Sequence, residues 1–310
     1  MDGVKLVKKL ALALLPVVIY FALFVYFEPY NYFGIKQSEY TGDSRIVRVR
    51  QFNEKKADTI ILGDSRMAHF DMELVEEYTG CPVSNLSFGG ASFNESMDLL
   101  EYAMEANPDI DTVYFGVSFY TLNQSYYKDR MSQIKTIAEN PFAYMLNFNY
   151  NVEMLNEIRY FLKGETNHAE ENIGKWKEED YYYEDGTPRP YRENLEVYAT
   201  TQIAVVCQNY TFDIEDIDRY IRLRDKCREK GITLYTVLPP MDDSIKDLVV
   251  DKMGIDKGLK DFIDLAGEHS VVLNYEYNDE NPFGEDQFYD GFHLDGEKGL
   301  PVFTKMLFDR

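Results

Sequence analysis

A serine, a histidine and an aspartate stand in an order that suits acyl transfer through a covalent serine. The serine is Ser65, in Gly63-Asp64-Ser65-Arg66, directly after the apolar, β-branched run Thr59–Leu62. A serine hydroxyl is a weak nucleophile until a base lies within hydrogen-bond reach and a third group orients that base. Four histidines are available. His69 lies one turn after Ser65, too close for an opposed geometry. His168 sits in an acidic stretch, and His269 precedes a candidate strand, at the wrong end of a parallel sheet. His293 follows that strand in Asp290-Gly-Phe-His293. An aspartate three residues before a histidine can fix the imidazole tautomer and stabilise its cation; Asp295 is the alternative orienter. A third stretch, Asn85-Leu-Ser-Phe-Gly89-Gly90-Ala-Ser92, puts two glycines at the start of a helix. Their N–H groups could meet developing negative charge, as an oxyanion hole must.

These residues need a frame that brings them to one edge. Short apolar runs at 59–62, 83–87, 112–117, 232–238 and 271–274 read as strands. Helical patterns separate them. One runs from about Asp71 with Leu74, Val75 and Tyr78 on one face, stopped by Gly80. Another opens on the capping box Ser92/Glu95 and ends at Asn107-Pro108. A third spans 213–229 with Ile214, Ile217 and Ile221 as its apolar face, and a last helix runs from about 296 to the end. Strands alternating with helices predict an α/β fold: a parallel five-stranded sheet covered on both faces. In such sheets chemistry sits beyond the carboxyl ends of the strands, which here begin the loops at Gly63, Phe88 and Ser118.

Outside this frame, residues 58–310 carry an insertion at about 124–205, read as a mostly helical lid rather than a separate domain. Its polar tract is KWKEEDYYYEDGTPRPYRE. Residues 31–57 read as a polar linker with some helical character. Residues 1–30 read as a cytoplasmic stub and transmembrane anchor. Leu10–Phe27 is an uncharged stretch of about 18 residues, within the roughly 17 to 25 that a bilayer core requires. Lys5, Lys8 and Lys9 precede it, so the positive-inside rule places the N-terminus in the cytoplasm and the rest outside. A cleaved signal peptide is the competing reading. The exit YFEPYNYFG has no small-residue cleavage site, which favours an uncleaved anchor.

The formal net charge of -22 argues against nucleic acid as a partner. Cys81, Cys207 and Cys227 form no zinc pattern and no disulfide framework, although Cys207 and Cys227 could pair in an oxidising compartment. No metal or cofactor is expected.

GDS near the start, a glycine turn after strand two and D-x-x-H near the C-terminus together resemble the SGNH/GDSL hydrolase superfamily. HLDGEKG also looks like the run that closes these domains. The resemblance covers roughly 58–123 and 231–310 and implies a flavodoxin-like three-layer sheet. It implies Ser65 as nucleophile, Asp290 and His293 as the closing pair, and Gly90 as oxyanion donor, with Gly89 and Arg66 as further oxyanion or substrate-binding residues. The family's third block usually carries an oxyanion asparagine. Here strand three ends Gly116-Val117-Ser118-Phe119, so Ser118 or backbone alone would serve. A subset of similar proteins shares this departure together with the anchor and the GDSR and NLSFGGAS blocks: the membrane-anchored proteins of surface-polymer acylation, including those of alginate acetylation and teichoic-acid D-alanyl transfer. The likeness implies a serine-dependent O-acyltransferase or acyl esterase acting on a surface polysaccharide or cell-wall polymer, beside a multispanning membrane O-acyltransferase. The second reading is a non-catalytic glycan-binding or scaffold partner of such an enzyme.

Overall fold

The computed structural model describes residues 3–30, 32–35, 44–164, 183, 185, 187, 189–276 and 282–310. Along the chain run α1 (Gly3–Phe27), α2 (Ser44–Lys55), β1 (Thr59–Leu62), the single turn α3 (Ser65–Ala68), α4 (Met72–Thr79), β2 (Val83–Asn85), α5 (Phe93–Ala106) and β3 (Thr112–Gly116). Then come α6 (Met131–Glu139), α7 (Pro141–Met145), α8 (Phe148–Lys163), α9 (Tyr191–Tyr198), α10 (Ile214–Glu229), β4 (Thr233–Leu238), α11 (Asp256–Gly267), β5 (Val271–Asn274) and α12 (Leu300–Phe308). The chain divides into two compact units, one of Met1–Arg50 with Ser132–Trp176, the other of Gln51–Met131 with Lys177–Arg310.

The larger unit holds the sheet. All four strand pairings are parallel, in the order β2-β1-β3-β4-β5, the flavodoxin-like arrangement. Every residue of β1 is buried, as a parallel strand covered on both faces requires. Ile61, Tyr114, Val237 and Leu273 project to one face and pack with Val75 of α4 and Phe303, Leu307 and Phe308 of α12. On the other face Phe115 meets Phe93 of α5 edge-on at 5.8 Å and Tyr220 of α10 at 5.3 Å, and Phe262 of α11 closes on both. Helix ends follow local chemistry. The Asp71 carboxylate caps α4, whose last turn ends on Gly80 at φ +68°. The Ser92/Glu95 capping box opens α5.

Three local expectations shift. Ile214 of α10 is 62% exposed, and the buried face is instead Ile217, Tyr220, Leu223 and Cys227, because these, at three- and four-residue steps, line the side turned to the sheet. The last helix begins at Leu300 rather than near 296, because the Asp295 carboxylate accepts from the Glu297 and Lys298 N–H groups and makes a turn there. The stretch 31–57 is more than a linker: α2 buries Ile46, Val49 and Phe52. Cys207 and Cys227 are buried free thiols.

The region expected as one lid on the sheet divides instead. Its α9 belongs to the sheet unit, whereas 132–164 packs with the N-terminal residues because its apolar faces meet α1. Most of its polar tract, with His168, lies outside the described residues. In the smaller unit α1 is long and apolar enough to cross a membrane. Its C-terminal third is not bare: Phe24 is fully buried, edge-on to Tyr144, and the Tyr20 hydroxyl donates to Met145 O and Asn151 Oδ1, each at 2.7 Å.

Candidate active site

The chain leaves β1 through Gly63, at φ +140°. A Cβ on Gly63 would stand 2.8 Å from Met67 Cγ, and one on Gly116, at the end of β3, 2.3 Å from the same atom. These two glycines let Met67 fill the floor under a tight strand-to-helix turn. The Asp64 carboxylate fixes the turn, accepting from Arg66 N at 3.0 Å and from the Tyr120 hydroxyl at 2.7 Å. Ser65 therefore becomes the first residue of α3, at the carboxyl edge of the sheet and only half-buried.

His293 arrives from the loop after β5. Its Nε2 lies 2.8 Å from Ser65 Oγ, and its Nδ1 lies 2.9 Å from Asp290 Oδ2. The other oxygen of Asp290 accepts from the backbone N–H groups of Phe292 at 2.9 Å and His293 at 2.8 Å. Asp290 and His293 are 4% and 5% exposed. An acceptor carboxylate at Nδ1 calls for the tautomer with its proton there, leaving Nε2 to take the serine proton. Gly291, at φ +81°, makes the reversal that brings Asp290 and His293 together, with Leu195 packed where a side chain would be. Of the other histidines, His69 is exposed at the end of α3 and His269 lies before β5, at the opposite sheet edge. The Asp295 carboxylate instead caps its own turn, accepting from the Glu297 and Lys298 N–H groups.

The loop after β2 is tied to that of β1 by Phe88 N donating to Gly63 O at 3.2 Å. Gly90 takes a left-handed conformation, φ +66°. Its carbonyl accepts from Arg130 at 2.9 Å, Lys128 Nζ at 3.0 Å and the Tyr126 hydroxyl at 3.3 Å. The peptide after Gly90 is therefore pinned from one side. Among the described residues, the N–H groups of Ser65, Gly89 and Gly90 donate to no protein atom, so they remain available to an oxyanion.

Arg66 and Ser118 are arranged differently from an open substrate site. Arg66 is buried, and its guanidinium donates to Ser118 Oγ at 3.1 Å, to Glu276 Oε2 at 3.3 Å and to the Pro239 carbonyl. It also stacks over Phe292 at 4.3 Å. One cation thus ties together the loops after β1, β3, β4 and β5. As an acceptor from Arg66, the Ser118 hydroxyl keeps its own proton to donate elsewhere.

Tyr198, at the end of α9, stands edge-on to His293 with ring centroids 5.5 Å apart. Burial, with Asp290 and Asp64 nearby, raises its pKa far above the usual phenol value. Burial and Asp64 act likewise on Tyr120, and they push Tyr126 up to about 12. These phenols stay protonated across the physiological range. Among the described residues nothing hydrogen-bonds the Tyr198 hydroxyl. Sequence reasoning missed Tyr198, Glu276, Lys128 and Arg130. Glu276 alone left a signal: it stands two residues past the end of β5, at the edge where the arginine of GDSR needs a carboxylate.

No family model matches the chain, and no curated protein matches it. Among solved structures the chain is similar to a lipolytic protein of the G-D-S-L family, so named, from Desulfitobacterium hafniense DCB-2. The identity is 8%, the TM-score 0.36, and the match covers 79% of this chain and 95% of that one. A likeness at that score carries no weight beside the strand order. The α/β architecture rests on the parallel 2-1-3-4-5 sheet itself.

Proposed function

We propose that this chain is a membrane-anchored, SGNH/GDSL-type O-acyltransferase or acyl esterase acting on a surface polysaccharide or cell-wall polymer outside the cytoplasm. The observation that carries the reading is the unbroken relay Ser65 Oγ–His293 Nε2–Nδ1–Asp290 Oδ2, at 2.8 and 2.9 Å. Both separations suit a working nucleophile and base.

In this reading His293 Nε2 takes the Ser65 proton as Oγ attacks an acyl carbonyl. Asp290 holds the ring and stabilises the imidazolium. The N–H groups of Ser65 and Gly90 bind the oxyanion, with Gly89 beside them. Collapse expels the donor's leaving group, which carries off the proton from His293 and leaves an acyl-Ser65 ester. A sugar hydroxyl or water then attacks that ester as His293 takes its proton. Collapse returns the proton to Ser65 and releases the acylated polymer or free acid. Arg66 supports the loops here rather than touching substrate, and Ser118 is a further candidate donor to the oxyanion.

The anchor reading is supported by the packing of α1. A peptidase cut after α1 would remove Phe24 and Tyr20 from the contacts they make within the smaller unit. A multispanning acyl-transfer enzyme is the partner that would supply the acyl group.

A serine-directed fluorophosphonate tests the chemistry. Wild type is expected to be labelled and to acylate polymer, and Ser65→Ala to do neither. Polymer acylation intact in Ser65→Ala sinks the proposal. An unlabelled wild type, with glycan binding retained in Ser65→Ala, selects the scaffold reading instead.

A further inference from the structure

Helix α1 sets a depth scale for the smaller unit, provided that it crosses a membrane as proposed above. Its uncharged stretch, Leu10–Phe27, rises about 27 Å at roughly 1.5 Å per residue, nearly the whole ~30 Å of a hydrocarbon core. Lys5, Lys8 and Lys9 bound it on one side and Glu28 on the other, so it has little freedom to slide. Tyr20–Phe27 therefore lie in the leaflet remote from the lysines.

That same segment is the one α7 and α8 touch. Phe21 meets Phe142 edge-on at 6.1 Å, Phe24 meets Tyr144 at 5.4 Å, and Phe27 meets Phe161 at 5.3 Å. Elements that contact α1 at this depth share the depth.

Helix α8 has three sectors. Tyr150 and Met154 are buried on one. Asn149, Glu153, Asn156 and Lys163 form a polar sector. Between them Phe148, Val152, Leu155 and Leu162 make an apolar stripe in an arc of about 80° at 100° per residue. This stripe is exposed: Phe148 is 80% and Leu162 78% accessible, and Phe142 of α7 and Leu146 just after it are also open. In water such a surface is a liability; in lipid it is the face required. Arg159 falls on the stripe, where its long stem can lie along acyl chains and its head reach phosphate.

The backbone between the helices gives an independent sign. Irregular backbone at membrane depth must satisfy its polar groups internally. Asn140 caps α7 through Phe142 N and Ala143 N, and Asn147 caps α8 through Asn149 N and Tyr150 N. Met145 O, at the end of α7, receives both the Asn151 amide and the Tyr20 hydroxyl. The turn is closed by Leu146 N to Phe142 O and Asn147 N to Tyr144 O.

We infer that α7 and α8 form a hairpin set into the outer leaflet beside α1, its exposed apolar face covered by lipid acyl chains. The occupant is the bilayer itself, not a peptide or a second copy. The inference rests on α1 spanning the membrane.

The test uses the full chain in phosphatidylcholine vesicles with brominated acyl chains. Trp176, the one native tryptophan, is replaced by Phe, and a single tryptophan is placed at Leu155→Trp or, as control, at Leu15→Trp within α1. Both tryptophans are expected to lose most of their emission to bromolipid, and that at 155 to resist aqueous iodide. Quenching at 15 but not at 155, with iodide access at 155, overturns the inference. So does a residue-155 tryptophan shielded from both quenchers, which points to a protein cover. An unquenched tryptophan at 15 overturns the anchor reading instead.

Discussion

The Arg66 guanidinium and the Glu276 carboxylate form an ion pair 3.3 Å long with side chains 2% and 0% exposed. The pair sits under the candidate site, where the loops after β1 and β5 meet. Removing either partner strips the other, buried charge of its counter-ion, and breaking a buried pair in this way costs about 3–5 kcal/mol. Arg66→Ala and Glu276→Ala are each expected to lose that much unfolding free energy in urea titrations. The Arg66→Met/Glu276→Leu double variant is expected to regain much of it, because it buries no lone charge.

Gly90 offers a separable test of the oxyanion hole. A Cβ there would meet nothing nearer than Tyr126 Oη at 3.4 Å and Lys128 Nζ at 3.6 Å, so a methyl group fits. The difficulty is the left-handed backbone, roughly 1–2 kcal/mol for an L-residue. Gly90→Ala is expected to relax the turn and misdirect its N–H. Loss of one such donor lowers turnover by about 10²–10³. The check is kcat on a small acetyl ester beside the melting temperature: kcat should fall far more than stability.

Glu95 predicts a pH dependence. Burial by itself would raise its pKa, but the Arg130 fork, at 2.7 and 2.6 Å, and the Ser92 N–H and hydroxyl outweigh burial and hold it below the ordinary carboxylate value. A carboxylate with a depressed folded-state pKa adds stability above its unfolded value, lost as pH falls through the folded value. Melting temperatures are expected to fall more steeply for wild type than for Glu95→Gln below about pH 4. At pH 7 wild type is the more stable of the two. Parallel curves would refute the assignment.

Much of this architecture was legible because short-range rules governed it. The strands announced themselves as β-branched runs, and Asp71, Gly80, Ser92 and Glu95 punctuated the helices as capping chemistry dictates. Ser65, Asp290 and His293 were legible together because strand order places the loops after β1 and β5 at one edge. What escaped depends on distant pairing. Arg66 reads as a site residue from GDSR, but a carboxylate 210 positions later turns it inward. Tyr198 lies in the insertion, and nothing local marks it as a neighbour of His293. The division of the insertion was equally hidden, because residues 132–164 carry apolar faces whose partner, α1, lies more than a hundred residues earlier.

Asp290 spends one oxygen on the imidazole and the other on two backbone N–H groups of its own loop. Its carboxylate therefore cannot swing away without breaking the turn that carries His293. The alignment of Asp290, His293 and Ser65 is completed when the chain folds, before any ligand arrives. Little reorganisation remains for the moment of reaction. On the proposed function, the choice of hydroxyl would then fall to what can reach the open side of Ser65, not to any adjustment of the relay.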